Sequence, residues 1–398
     1  MTSALLLEPA GSLLLINALL YTPSFAGEEG WVLTHRGHIA AVGQGTPPQA
    51  DAKTIDLRGL ILAPGLIDLH AHGALGRDTM DADPAALREM AAFYARHGVT
   101  AFLATTMTAP QGEILAALAA IRQVMAEGSG GAALIGAHVE GPYLDAERSG
   151  AQDARLVRRA LPTEYEPLLG TGAIRLITLA PEYPENRRLL RDALAYSADG
   201  ARIAVAAGHT RASYEQMVEA AGLGLSQVTH LYNGMEPMHH RRPGAVGAAL
   251  TLDTLRCQLI ADNIHVHPAM LKLAVRAKGP DGIMLVSDAM SGTGMPDGIY
   301  ILGGLEVIVR GGEARLPDGT LAGSTLTLER AVANIVAAAS VSLADALTMA
   351  SQTPARALGL DGHKGAIAPG MDADLIVLDA DLRVRLSVVE GRIAHNEL

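Results

Sequence analysis

The stretch LAPGLIDLHAH, residues 62–72, is apolar nearly throughout until it delivers two histidines, His70 and His72. A short apolar run of this kind, carrying Pro64-Gly65 near its start, reads as a buried strand over Leu62–Leu69. Residues two apart on a strand point to one face, so His70 and His72 can grip a single cation, and Asp68 shares their side. His-x-His alone is a weak signal. Its position at the end of an apolar strand gives it weight.

Seven more apolar runs follow the same plan: Thr100–Ala104, Leu134–Glu140, Ile174–Leu179, Ile203–Ala207, Gln227–His230, Cys257–Ala261 and Met284–Ser287. Helical segments rich in Ala and Leu separate most of them, at Ala85–Arg96, Glu113–Ala126, Glu185–Ser197 and Tyr214–Ala221. Alternation of this kind implies parallel strands, and eight of them predict an α/β protein built on a (β/α)8 barrel of the TIM type. A doubly wound sheet is the competing arrangement.

The two chain ends have another texture. Leu13–Ala18 and Trp31–Val42 are β-rich patches punctuated by Gly27, Gly30, Gly37 and Gly43, and Asp374–Leu378 and Val384–Val389 look alike. Neither end has enough strands for a stable sheet. Together they are expected to form one small β-sandwich domain, residues 1–57 plus 364–398, beside a barrel over 58–363. Inside the barrel region an insertion near 299–316 reads as a β-hairpin, with arms Ile299–Val309 and Glu313–Leu316 and a turn at Gly311-Gly312. A last helix, Thr327–Ser340, then closes the barrel region.

Catalytic groups of such barrels sit where strands end, and six of the expected strands end in a polar group. His70 and His72 follow the first. Glu140 ends another, in HVEGPYLD, and His209 and His230 follow apolar runs in AAGHT and THLYN. One such histidine is more often a hydrogen-bonded core residue than a ligand. Two of them, with Glu140 and the His70/His72 pair, make a nitrogen-rich set with one carboxylate. That set suits one or two divalent ions, zinc foremost, with iron or another first-row ion as alternatives. Asp288, in LVSDAMSGTG, ends the last strand. As a plain residue it would be a turn cap; beside an acidified water it would be a general base whose proton is later returned. Arg241 and Arg242, in HHRRPG, form the basic cluster nearest these motifs, and His265 could add a donor to the same anion.

Composition narrows the partners. The 398 residues carry 31 Lys and Arg against 42 Asp and Glu, a formal net charge of -11, and only 3% aromatics. Such a chain repels a phosphate backbone and lacks a base-stacking platform, so nucleic acid is excluded. An anionic substrate would need a local basic pocket. The single cysteine, Cys257, cannot form an internal disulfide, which fits a reducing compartment. The first 35 residues contain no Lys or Arg, and the apolar stretch Leu13–Tyr21, interrupted by Asn17, is too short to span a bilayer. A cytoplasmic protein without a membrane partner is expected.

The motifs taken together resemble the amidohydrolase superfamily, and within it the N-acetylglucosamine-6-phosphate deacetylases. APGLIDLHAHG, HVEGPYL, TLAPE, GHT, THLYNGM, RRPG, ADNIHVHP, SDAMSGTG and LAGSTLT occur in that order over nearly the whole chain. HVEGP with THLYN and SDA is specific to these deacetylases, whereas His-x-His and PGMDADLIVLD belong to the wider superfamily. The resemblance implies a barrel with a β domain from both termini, a homodimer, metal ligation by Glu140, His209 and His230, and Asp288 as acid/base. It maps sugar and phosphate contacts onto Asn233, Gly234, Arg241 and His265, with backbone near Asp262 and Leu321, Ala322 and Gly323. Some members lack the histidine pair and bind one metal; with His70 and His72 present, a two-metal site is open to this chain. One departure stands out. Twelve residues after the glutamate the family usually has a histidine that polarises the amide carbonyl, and this chain reads RSGAQDA, placing Gln152 there.

The expected reaction is therefore deacetylation of N-acetylglucosamine 6-phosphate to glucosamine 6-phosphate and acetate, in amino-sugar catabolism. Another N-acetyl hexosamine, such as the galactosamine epimer or a non-phosphorylated sugar, is an alternative. A cyclic-amide or isoaspartyl hydrolase of the same superfamily is a second, although many of those bridge their metals with a carboxylated lysine where this chain has Glu140. A catalytically dead scaffold is disfavoured because all five candidate ligands and Asp288 are intact.

Overall fold

Gly65 is where the chain leaves one sheet and enters another. The computed structural model describes residues 11–198 and 201–398. In it the expected strand Leu62–Leu69 is two strands: Ile61–Pro64 belongs to a sheet built from both chain ends, and Leu66–Ala71 opens the barrel. The backbone passes so close to the neighbouring strand that a Cβ on Gly65 would lie 2.1 Å from Thr100 Oγ1. Apolar patterning runs unbroken across this crossing because both sheets bury it.

The barrel strands are β1 (Leu66–Ala71), β2 (Val99–Thr106), β3 (Ala133–Glu140), β4 (Ile174–Leu179), β5 (Ala204–Ala207), β6 (Gln227–Val228), β7 (Arg256–Ile260) and β8 (Ile283–Val286). Each pairs in parallel with its neighbours in chain order. Between β8 and β1 an isolated parallel bridge, Ala71 to Ala289, completes the circuit. There the Asp288 N–H donates to the His70 carbonyl at 2.8 Å, and the His72 N–H to the Ala289 carbonyl at 2.8 Å. Buried Asp68 reinforces the joint, its Oδ1 accepting from the His70 N–H at 3.1 Å and the Ser287 N–H at 3.3 Å. The eight-stranded circuit with helices between its strands is the (β/α)8 barrel the sequence predicts.

Local signals explain the helices that wrap it. Pro84–Arg96 starts with proline at its first position, and Asp83 caps it by accepting from the Ala85 N–H at 2.8 Å. Tyr214–Gly222 carries a reciprocal capping box between Ser213 and Gln216. Sequence patterning misses Pro162–Leu169, Gly244–Thr251 and Pro268–Lys278. Two of these also begin at proline, and the third, GAVGAALT, has two glycines that mask its helical character.

Among the described residues the terminal sheet has eight strands. Leu13–Thr22 pairs antiparallel with Phe25–His35 and parallel with Ile61–Pro64, which in turn pairs with Leu375–Leu378. Val384–Val389 and Arg392–Asn396 extend it at one edge. Leu15, Leu20, Val32, Leu62, Leu375, Val377 and Leu386 form its own apolar core. This sheet takes in strands past residue 57, and residues 1–10 of the expected small domain lie outside the described residues.

The expected two-stranded hairpin is corrected. Its long arm folds back at Gly303-Gly304, whose φ angles are 54° and 82°, giving three antiparallel strands: Gly298–Leu302, Leu305–Arg310 and Glu313–Arg315. Both glycines adopt the left-handed backbone a tight turn needs. Alternation continues on either side of them, which is why one long arm is read from the sequence.

Gly65→Ala is expected to destabilise the protein by about 1–3 kcal/mol through overpacking against Thr100. Adding Thr100→Ala should recover part of that loss in thermal or denaturant unfolding. An alanine variant as stable as the parent would remove the close-approach argument.

Candidate metal centre

Glu140 lies at the end of β3 with its carboxylate divided between two histidine pairs. Its Oε1 is 3.2 Å from His209 Nε2 and 2.9 Å from His230 Nε2. Its Oε2 is 3.4 Å from His70 Nε2 and 3.3 Å from His72 Nε2. Asp288 Oδ1 stands 3.4 Å and 3.3 Å from the same two nitrogens of His70 and His72. All six side chains are buried. The groups therefore form two trios that share Glu140, one with His70 and His72 and one with His209 and His230.

Backbone and side-chain acceptors set the histidine tautomers. Nδ1 of His72 faces the Thr105 carbonyl at 3.2 Å, Nδ1 of His209 faces the Arg148 carbonyl at 2.7 Å, and Nδ1 of His70 faces Gln258 Oε1 at 3.1 Å. A carbonyl only accepts, so each Nδ1 donates, and in the neutral ring each Nε2 turns a lone pair into the site. The Nε2 atoms are 3.1 Å apart in His70 and His72 and 3.0 Å apart in His209 and His230, so facing lone pairs there would repel unless a proton or a metal ion sits between them. Ligands about 2.0–2.1 Å from a tetrahedral ion are spaced about 3.3 Å from one another. The donor separations fit that spacing.

Electrostatics points the same way. Burial lowers His70 and His72, but the Glu140 and Asp288 carboxylates outweigh it and raise both, His72 to about 10. Burial pushes Glu140 up, yet the His70 charge and the hydrogen bonds from His209 and His230 hold it well below the usual carboxylate range. Asp288 behaves likewise: burial raises it, and His70 and His72 hold it at about 2. The cluster requires positive charge among its buried acceptors, as protons or as metal ions. Three of the six residues also sit on left-handed backbone, with φ of 46° at His209, 28° at His230 and 51° at Asp288. Such strain costs about 1–3 kcal/mol per residue and collects where function requires it.

Above the cluster opens a cavity of about 650 Å³. His72, Glu140, Gln152, His209, His230, Asn233, Gly234, His265, Asp288, Leu321 and Gly323 line it, which brings most of the expected site residues together. Asp262 is one step back: its Oδ2 holds His265 Nδ1 at 2.6 Å, which leaves Nε2 to serve the cavity. Buried Ala322 does not line it. Its segment instead buttresses Asp288, with the Ser324 N–H donating to the Asp288 carbonyl at 2.7 Å. Arg241 is elsewhere, in a separate surface pocket with Arg211, Tyr214, Glu236 and His239. Among the described residues no Lys or Arg lines the cavity. Met107, Gly150, Ala151, Leu302 and Thr320 also line it and escape sequence reasoning. Met107 follows β2 directly, so the strand-end rule could have found it. Leu302 belongs to the three-stranded insertion and carries no such signal.

A profile of the amidohydrolase family matches residues 61–394. The chain belongs to the amidohydrolase family. This amidohydrolase is 38% identical over 392 residues to the N-acetylglucosamine-6-phosphate deacetylase of Bacillus subtilis (strain 168), covering 97% of this chain and 98% of that one. It is 39% identical over 374 residues to the N-acetylgalactosamine-6-phosphate deacetylase of Escherichia coli O157:H7, covering 92% and 96%. Among solved structures it superposes with a TM-score of 0.90 and 31% identity on a variant of the N-acetyl-D-glucosamine-6-phosphate deacetylase of Mycobacterium smegmatis in complex with N-acetyl-D-glucosamine-6-phosphate, covering 97% and 100%.

Removing divalent ions from this amidohydrolase with a chelator should lower its Tm, and zinc should restore it. Saturation at about 100 times Kd is worth about 2.7 kcal/mol. Purified protein that carries no divalent metal by elemental analysis, and whose Tm ignores chelator and zinc alike, would exclude a metal centre here.

Proposed function

We propose that the chain hydrolyses the acetamide of N-acetylglucosamine 6-phosphate, giving glucosamine 6-phosphate and acetate. The observation that carries this reading is the sharing of one carboxylate, Glu140, by two histidine pairs beside a second carboxylate, Asp288, at the floor of a cavity. The names of the relatives supply the substrate class.

Glu140, His209 and His230 would hold one ion, and His70, His72 and Glu140 a second. Zinc is the ion proposed, with iron or another first-row divalent ion as alternatives. When bound, such an ion lowers the pKa of water toward about 7 and polarises an amide carbonyl. Asp288 is buried with its Oδ1 3.4 Å and 3.3 Å from the Nε2 atoms of His70 and His72, beside the place where the water would be held, and would take the proton there. It accepts the proton of the attacking water, hydroxide adds to the acetamide carbon, and Asp288 returns the proton to the nitrogen as the C–N bond breaks. His265, braced by Asp262, and Asn233 would orient the sugar and its anionic group.

A second reading, the galactosamine epimer, is supported by the similar identity to the E. coli relative. The chain is proposed to act in the cytoplasm as a homodimer. The lone buried thiol of Cys257 fits a reducing compartment, and among the described residues no helix is long and apolar enough to cross a membrane.

Asp288→Asn should keep its metal content and lose at least about 100-fold in turnover. A near-normal rate would overturn the role given to Asp288. Acetate release from a panel of N-acetyl hexosamines, each with and without the 6-phosphate, should be fastest on N-acetylglucosamine 6-phosphate. Faster release from the galactosamine epimer would select the second reading, and no release from any member would reject both.

A further inference from the structure

Gln152 occupies the position where the resemblance implies a carbonyl-polarising histidine, yet its side chain is committed elsewhere. It is only 5% exposed. Its Oε1 accepts the Thr108 N–H at 2.7 Å, and because a backbone N–H can only donate, the amide orientation is fixed. The NH2 group must then face the other way, where it donates to Glu140 Oε2 at 2.8 Å and approaches Met107 Sδ at 3.6 Å.

The contact falls on one oxygen only. Oε2 is the oxygen shared with His70 and His72, whereas Oε1 serves His209 and His230. Rotation of a carboxylate about its last bond is soft, with no deep staggered wells. An amide donor anchored to a neighbouring backbone fixes that torsion, so that the two oxygens stay divided between the two histidine pairs. The same hydrogen bond uses lone-pair capacity on Oε2 and leaves Oε1 the stronger donor.

We propose that Gln152 is a positioning residue: it holds Glu140 in its bridging orientation and thereby sets the affinity of the cation at His70, His72 and Glu140 Oε2, separately from the one at His209 and His230. This rests on the metal-centre reading above. Hydrogen-bonding partners of metal ligands are typically worth about 10–100-fold in affinity. The effect should fall chiefly on one of two ions.

The test is a zinc titration of the full chain, stripped of metal, against a competing chromophoric chelator. The wild type, Gln152→Met and His72→Ala are compared, with the Tm of each apo protein recorded. Methionine keeps the length of glutamine but removes its donor to Glu140 together with its acceptor for the Thr108 N–H, so some fall in apo Tm is expected apart from any effect on metal. The wild type should show two binding steps, and His72→Ala identifies which step belongs to the His70/His72 side. In Gln152→Met that step should weaken by about 10–100-fold, while the other step holds. Unchanged affinity at both steps would overturn the inference while leaving the metal centre intact. So would a parallel fall in both steps with a fall in apo Tm, the pattern of a purely structural residue. A wild type that binds one ion, retained in His72→Ala, would overturn the inference alone. A wild type that binds none would sink the metal centre and the inference with it.

Discussion

The closure of the barrel between its last and first strands is the constraint from which the site follows. Elsewhere the strands are joined by parallel ladders, but at this joint an isolated bridge, Ala71 to Ala289, does the pairing with help from the side chain of Asp68. That carboxylate takes N–H groups from both strands, and burial pushes it up to about 6. Because the Asp288 N–H is bonded to the His70 carbonyl, the proposed proton carrier and the first histidine pair are locked in register. A slip of one residue here would turn one of them away from the cavity.

From that joint the chemistry is distributed around the ring. β1 and β8 supply the histidine pair and Asp288, β3 supplies the shared carboxylate, and the loops after β5 and β6 supply the second pair. The groups come from distant parts of the chain, so the barrel is what makes them neighbours. Their mutual repulsion and buried charge are tolerable only if protons or metal ions resolve them, and the two trios that share Glu140 have the donor set for metal ions.

Much of this was legible in the residues. His70, His72, Glu140, His209, His230 and Asp288 are polar groups that terminate apolar runs, and in a parallel barrel those ends share one mouth. The failures have physical reasons too. Leu62–Leu69 reads as one strand because hydrophobicity does not record that Gly65 passes from one sheet to another. Arg241 looks like an anion ligand because it is close in sequence to His230, yet the chain carries it to a different surface pocket. The bond from Gln152 to Glu140 spans an irregular loop, where no periodicity links the partners. Left-handed backbone at His209, His230 and Asp288 leaves no trace in composition, since the strain is imposed by the surrounding fold.

The segment after Glu140 ties these parts together. Arg148 lends its carbonyl to His209, and Gln152, four residues on, lends its amide to Glu140. Arg211 then fastens the segment to the next loop through Asp145 and Glu147. One short connection thus braces opposite sides of the centre, so evolution has little freedom to lengthen or graft it without disturbing both. Diversification of substrate preference in this scaffold would therefore be concentrated at positions such as Leu302 and Leu321, which border the cavity without supporting any proposed ligand.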